Sequence, residues 1–222
     1  MTSSKEPSAI DFRSAARRLR SDLRCGHVTP TIFSAALEQI APGDRDPWLD
    51  LLWDSHEIPV DDPDLPRGCV PYLPCPVAAV LAAIEQAGVT NDDVFVDLGS
   101  GLGRAALLVH LMTDAACIGL EIQPKLSRAA QDRAEWAGLS RLRFLQGDAA
   151  EMGSVIATGT VFFLYCPFSG SRLQLFLDGL EDIARARPIR LCCVDMPPLE
   201  APWLTRMPSA SSEVDVYRSN VA

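Results

Sequence analysis

A glycine-rich turn after an apolar segment is the clearest chemical feature of the sequence. The stretch VFVDLGSGLGR at residues 94–104 has the pattern of a buried strand that leads into Gly99, Gly101 and Gly103. Turns of this kind hold dinucleotides, phosphates or nucleosides. The dinucleotide fingerprint G-x-G-x-x-G needs its third glycine where Arg104 stands, so the spacing argues against an NAD-dependent oxidoreductase.

Acidic residues mark the ends of three successive strand-like segments. Asp97 lies at the end of the first, Glu121 at the end of the second, and Asp148 follows the third. A carboxylate at Asp97 would repel a pyrophosphate but attract a ligand with an ammonium group, such as S-adenosylmethionine. Glu121 is spaced to accept hydrogen bonds from ribose hydroxyls, and Asp148 from an adenine amino group. The three acids therefore predict a nucleoside site at one edge of a sheet.

Alternating strand-like and helical segments predict the sheet that positions these acids. The apolar runs are 94–99, 116–122, 141–146, 160–166 and 189–195, with helical patterns between them at 103–113, 125–137 and 170–186. Continuous apolar strands that alternate with helices predict a doubly wound, mostly parallel α/β sheet covered on both faces. Two further strand candidates, PWLTRM and EVDVYRS, are separated only by PSASS, which predicts a closing hairpin.

The sequence before this pattern predicts a helical extension, residues 1–69, ahead of a binding domain at 70–222. Helical patterns cover 10–23 and 29–40, the second with a threonine cap and a first-turn proline. The segment 41–66 is rich in proline and aspartate and contains two tryptophans, Trp48 and Trp53. This segment is a candidate lid over the site.

The motif DLGSGLG and its acids resemble the seven-strand (class I) S-adenosylmethionine-dependent methyltransferases over residues 70–222. The resemblance implies a Rossmann-like sheet of seven strands in which the last strand is antiparallel, and S-adenosylmethionine as the cofactor. It also implies a set of cofactor-binding residues: Tyr72, Asp97, Gly99, Ser100, Gly101, Gly103, Glu121, Ile122, Asp148, Ala149 and Tyr165.

A narrower resemblance lies upstream of the glycine turn. PYLPCP, then a helix, then VFVDLGSGLGR is similar to the DLGSG branch that contains non-SET histone lysine methyltransferases and bacterial protein-lysine methyltransferases. In that branch an aromatic residue closes over the methionine end of the cofactor, a role that would belong to Tyr72. The net charge of −9 and the lack of a basic tail depart from a histone enzyme.

Candidates for the transfer step lie after the fourth strand and in the candidate lid. The N-P-P-Y/F signature of amide and adenine methyltransferases has asparagine or aspartate at the position of Tyr165. Because this residue differs, we do not expect an amide or adenine acceptor. The hydroxyl or ring of Tyr165 could instead contact an acceptor. His56 is the candidate general base. Lid carboxylates, among them Asp54, Glu57 and Asp61, would suit a cationic amine acceptor.

Composition limits location and partners. The chain start has no apolar leader and no run is long enough to cross a bilayer, so we expect a cytoplasmic protein without a membrane partner. The negative charge argues against nucleic acid as substrate. Seven scattered cysteines without a C-x-x-C pair predict reduced core thiols and no metal site. The predicted function is methyl transfer to a small molecule or a protein side chain; a non-catalytic cofactor-binding module or partner subunit is the alternative.

Overall fold

The computed structural model describes residues 11–54, 58–149, 151, 156–209 and 212–220. Its centre is a seven-stranded sheet of order β3-β2-β1-β4-β5-β7-β6. The strands are β1 (Val94–Leu98), β2 (Ala116–Glu121), β3 (Leu142–Gln146), β4 (Val161–Tyr165), β5 (Arg190–Val194), β6 (Leu204–Arg206) and β7 (Asp215–Ser219). The first five are parallel, β7 is antiparallel to β5, and β6 is antiparallel to β7. The predicted fold class is confirmed.

Seven α-helices occur in the described part of the chain. They are α1 (Phe12–Arg24), α2 (Pro30–Glu38), α3 (Arg45–Trp53), α4 (Val77–Ala87), α5 (Arg104–Thr113), α6 (Pro124–Trp136) and α7 (Ser171–Ala186). The local sequence explains several of their ends. The Thr29 side chain accepts a hydrogen bond from the amide of Ile32 at the start of α2, and Gly88 ends α4 in the left-handed conformation.

The parallel strands deliver the acids to one edge of the sheet. Asp97 lies opposite Gly119 in the β1–β2 register, and Glu121 lies opposite Gln146 in the β2–β3 register. Asp148 follows two residues after the end of β3. The carboxyl ends of β1, β2 and β3 therefore meet, because neighbouring strands of a parallel sheet run in the same direction.

The N-terminal helices are part of the main hydrophobic core. Buried residues of α1, α2 and α3 belong to the same cluster as those of α4, α5 and the strand face beneath them. Trp48 is fully buried and Trp53 is 3% exposed. The expectation of a lid is therefore wrong for α3, because its tryptophans and leucines form one apolar face that packs inward. Ser55, His56 and Glu57 lie outside the described residues.

The cysteines differ in burial. All seven are unpaired; Cys75, Cys117, Cys192 and Cys193 are buried, Cys69 and Cys166 are partly buried, and Cys25 is exposed. Within the residues that the structure describes, no helix is both long enough and apolar enough to span a bilayer.

Candidate cofactor site

The glycine turn is tied to the second strand by short hydrogen bonds. The amides of Gly99 and Ser100 both donate to the carbonyl of Leu120, at 2.9 Å each. The amide of Gly101 donates to Oε2 of Glu121 at 2.8 Å. Glu121 is 6% exposed, and its burial raises the pKa of the carboxyl group. The predicted ribose acid therefore also fixes the turn that would approach the ligand.

The ring of Tyr72 lies close against the turn at Gly101. A Cβ atom at Gly101 would be 2.2 Å from a ring carbon of Tyr72, and this glycine has a φ of +52°. Only glycine allows both the backbone conformation and the close approach. Burial raises the pKa of the Tyr72 hydroxyl to about 12, so this side chain is neutral at physiological pH. The structure thus brings together two residues that are 29 positions apart in the sequence.

Two adjoining cavities open at this edge of the sheet. The first is lined by many of the predicted nucleoside-binding residues: Tyr72, Gly99, Glu121, Ile122, Asp148, Ala149 and Tyr165. The second is lined by Tyr72, Asp97, Gly99, Ser100, Arg104 and Tyr165, with Cys75 on its wall. Gly101 and Gly103 line neither cavity and act by shaping the turn. Tyr165 and Tyr72 line both cavities.

Asp97 is the buried anion of the second cavity. Asp97 is 4% exposed, and its Oδ2 atom has no hydrogen-bond partner within the described part of the protein. Burial raises the pKa of Asp97 to about 7; the charge of Glu121 adds to this, and a hydrogen bond from the Ala106 amide opposes it. The hydroxyl of Ser100 is also buried without a partner among the described residues. Buried polar atoms that the protein itself leaves without partners, and that lie in a cavity, are typical of a ligand-binding site.

A buried glutamine connects the ribose acid to the segment before Tyr72. The amide of Gln123 donates to Oε1 of Glu121 at 2.8 Å, and its side-chain Nε2 donates to Oδ1 of Asp61 at 2.8 Å. The same oxygen of Asp61 accepts from the amide of Tyr72 at 3.0 Å. The Gln123 oxygen also accepts from the amide of Asp62 at 2.8 Å. Sequence analysis missed Gln123, and nothing in its local pattern marks it.

Arg104 joins the turn to the N-terminal helices. Its guanidinium, which is 5% exposed, forms ion pairs with Asp46 and Asp50 on α3. Asp46 also accepts a hydrogen bond from the amide of Val77 and so caps α4. An arginine in the otherwise apolar α5, together with two aspartates four residues apart on α3, was a signal that could have predicted this contact.

Replacing Arg104 with alanine is expected to lower the free energy of unfolding by about 1–3 kcal/mol, because two carboxylates lose the cation that neutralises them. Urea unfolding followed by circular dichroism measures this loss. Arg128→Ala is the matched control, since Arg128 also pairs with an aspartate but is 80% exposed. A similar loss in both variants would show that the buried pair has no special role.

Three predicted acids have partners that the sequence did not indicate. Asp148 forms an ion pair with Arg172 on α7, so the adenine-side carboxylate is already held in place. Asp54, expected to attract an acceptor, pairs with Arg20 at 2.8 Å. Asp61 holds Tyr72 and Gln123, as described above. Asp54 and Asp61 thus have structural contacts, and Glu57 and His56 lie outside the described residues.

The loop after β4 closes the cleft from the other side. A Cβ atom at Gly99 would be 2.8 Å from the Cβ of Pro167, so the two loops touch. The amide of Ser169 donates to the carbonyl of Gly68 at 3.1 Å, and Cys69 forms a β-bridge with Phe168. The segment before α4 therefore spans the gap between the glycine turn and the end of β4.

Comparison of the sequence with known proteins is consistent with this geometry. Residues 76–144 match the family described as histone methylation protein DOT1. A protein-lysine N-methyltransferase of Saccharolobus islandicus (strain REY15A) is 32% identical over 99 residues, which cover 43% of this chain. The chain spans 60% of that relative's length.

The chain also aligns with solved structures. The yhhF protein of Escherichia coli, described as a putative methyltransferase, aligns with a TM-score of 0.53 and 18% identity over 74% of this chain and 92% of that chain. An RNA methyltransferase of Salinibacter ruber, solved with S-adenosyl-L-homocysteine, aligns with a TM-score of 0.48 and 29% identity over 66% of this chain and 92% of that chain. Taken with the strand order, the similarity to yhhF shows that this chain has the Rossmann-like fold of that protein.

Proposed function

We propose that this chain is an S-adenosylmethionine-dependent methyltransferase whose acceptor is a lysine side chain of a protein. The observation that carries the cofactor assignment is the buried, unpartnered carboxylate oxygen of Asp97 beside the turn that Glu121 holds. The similarity to a protein-lysine N-methyltransferase supports the choice of acceptor. The DOT1 match covers only residues 76–144, which include the glycine turn, so it supports the cofactor half of the proposal.

The residues present fit this cofactor. Asp97 offers a carboxylate to its ammonium group, and Glu121 can accept from ribose hydroxyls because each carboxylate oxygen has a second lone pair. Asp148 and Ala149 line the part of the first cavity suited to adenine. Tyr72, against the glycine turn, would cover the methionine part. When bound, the cofactor supplies an electrophilic methyl group on its sulfonium.

The chain's own contribution to the transfer is mainly to position the acceptor. A reaction of this kind gains most from holding the two reacting groups in line and excluding water. Burial, with smaller effects of Cys75 and Asp195, raises the pKa of the Tyr165 hydroxyl. Tyr165 is therefore protonated at neutral pH, which suits it to orient an amine by hydrogen bonding rather than to remove its proton. The role of His56 as general base stays a prediction.

Calorimetric titration with S-adenosylhomocysteine tests the cofactor assignment. We expect tight binding to the wild type, no response to NAD, and binding to Glu121→Ala that is weaker by about 10- to 30-fold, because the ribose hydroxyls and the Gly101 amide lose their acceptor. Glu135→Ala is the control, since it removes an exposed carboxylate on α6. A folded wild type that does not bind S-adenosylhomocysteine would refute the proposal.

Transfer itself is tested with labelled S-adenosylmethionine. The acceptors are lysine-containing peptides, the same peptides with arginine in place of lysine, and an RNA pool. Label is expected in the lysine peptides alone. Label in the RNA would overturn both the lysine assignment and the prediction that nucleic acid is not a substrate. Cofactor binding without transfer to any acceptor, small amines included, would favour the non-catalytic binding module.

A further inference from the structure

The ends of β4 and β5 leave the sheet through matching strained turns. Tyr165, the last residue of β4, lies opposite Val194, the last residue of β5. The amide of Cys166 donates to the carbonyl of Val194 at 3.3 Å. The next residue of each strand, Cys166 or Asp195, has a positive φ, at 35° and 52° respectively. Non-glycine residues rarely adopt this conformation, and such strain is concentrated at functional sites.

The strand register places Asp195 directly after the residue paired with Tyr165, at the carboxyl end of β5. Asp195 is exposed to solvent. Its negative charge contributes to the raised pKa values of the Tyr165 hydroxyl and the Cys75 thiol, both of which are raised first by burial. Cys75 lines the second cavity and belongs to the segment before α4. The charge of Asp195 therefore acts on two residues that line this cavity, Tyr165 and Cys75.

Two carboxylates act on the second cavity. Asp97 lines it and is buried, and Asp195, an exposed residue outside the lining, adds a negative charge that acts on Tyr165 and Cys75. Among the described residues that line the cavity, the cation is Arg104, which is neutralised by its contacts with Asp46 and Asp50. A positively charged group that approaches Tyr165 is therefore attracted, whereas an anion or a phosphate is repelled.

We infer that Asp195 is the specificity-determining residue for the acceptor and that it receives the ammonium group of a lysine side chain next to Tyr165. This inference rests on the proposed function. Asp97 is reserved for the cofactor, so a second carboxylate is needed to attract a cationic acceptor. The carboxylate of Asp195 lies on the solvent side, where a side chain carried by another protein can reach it.

Steady-state kinetics of Asp195→Asn with a lysine peptide test the inference. Asparagine tolerates the left-handed conformation, so the turn is preserved while the charge is removed. We expect the KM for the peptide to rise about tenfold, with kcat changed less than about threefold and S-adenosylhomocysteine affinity unchanged. The charge reversal Asp195→Lys should raise the KM further. Asp92→Asn is the matched control, because it removes one exposed charge just before β1, at the amino end of the parallel strands and so away from the site.

The results separate this inference from the proposed function. If the wild type methylates the lysine peptide and Asp195→Asn has the same KM for it, the inference is overturned. The proposal of methyl transfer to lysine is not affected by that result. Equal increases in KM for Asp195→Asn and Asp92→Asn also overturn the inference, because net charge alone would then explain the effect. A fall in kcat with no change in KM assigns Asp195 to a later step and rejects a role in acceptor recognition. A wild type that binds S-adenosylhomocysteine but methylates no lysine peptide overturns both proposals.

Discussion

Replacing Asp97 with asparagine is expected to weaken S-adenosylhomocysteine binding by about 30- to 100-fold while making the free protein more stable at pH 8. The loss follows because a buried carboxylate bound to an ammonium group is worth about 2–3 kcal/mol. The gain follows because the carboxylate is held in an apolar, 4% exposed position with one oxygen unpartnered. Asparagine has the same shape and no charge to desolvate.

The direction of the pH effect follows from the raised pKa of Asp97, which is about 7 in the folded protein against 3.8 for an ordinary aspartate. Between these values the folded chain keeps a proton that the unfolded chain has lost, so the stability contribution of Asp97 falls as the pH rises through this window. Above pH 7 the full penalty is present. The asparagine variant should therefore gain on the order of 2 kcal/mol in free energy of unfolding at pH 8.

Ligand binding has the opposite pH dependence. The ammonium group of the ligand needs the ionised form of Asp97, so binding to the wild type should weaken by up to about tenfold for each pH unit below 7. Asp97→Asn should show little change between pH 5.5 and 8.5. Calorimetry in buffers of different ionisation enthalpy measures the accompanying proton release, and urea unfolding at pH 8 measures the stability. Asp178→Asn, on the exposed side of α7, controls for net charge.

A pH-independent wild type would contradict the assignment of Asp97 to the ligand's ammonium group. An asparagine variant that binds as tightly as the wild type would contradict it as well. A loss of stability at pH 8 in Asp97→Asn would instead show that the carboxylate is well solvated or paired in the free protein.

The substitution Gly101→Ala is expected to abolish most cofactor binding and to lower the free energy of unfolding by about 2–4 kcal/mol. The positive φ at Gly101 costs an alanine about 1 kcal/mol. The new methyl group would also lie 2.2 Å from the Tyr72 ring, so either the ring or the turn must move. Movement of the turn breaks the contact of its amide with Glu121. We expect S-adenosylhomocysteine affinity to fall by at least about 100-fold.

Gly138→Ala separates strain from collision. Gly138 has a φ of +69°, and a Cβ atom there would meet no atom within 4 Å. This control should cost about 1 kcal/mol and leave binding unchanged. In a Tyr72→Ala background, Gly101→Ala should lose much of its additional cost, because the ring is gone. Additive effects of the two substitutions would show that Tyr72 does not cause the instability.

The sequence was sufficient to predict the sheet because its evidence is local. Continuous apolar strands, the proline before α4 and the glycine after it are signals within a few residues of the elements they define. The sequence also predicted that Asp97, Glu121 and Asp148 lie at the same edge of the sheet, because the carboxyl ends of parallel strands meet there. The prediction needed only strand order, not side-chain contacts.

The contacts around these acids depend on residues that are distant in the sequence. Arg172 reaches Asp148 from α7, and Gln123 reaches Asp61 across 62 positions. No local pattern encodes either pair. The tryptophans of α3 were misinterpreted for the same reason: carboxylates on both sides suggested a solvated lid, whereas one face of the helix is apolar and is covered by its neighbours.

The packing of the N-terminal helices has a consequence for dissecting this protein. The indole nitrogen of Trp53 donates to the carbonyl of Leu102 at 2.6 Å, and Arg104 is held by α3. A truncated chain that begins at residue 70 would keep every motif that predicts a cofactor site. The glycine turn would nevertheless lose its contacts with α3. Deletion mapping would therefore report a loss of function and assign it to helices that, in the structure, contact and support the glycine turn. Point substitutions, not truncations, are the tools that can separate the two roles.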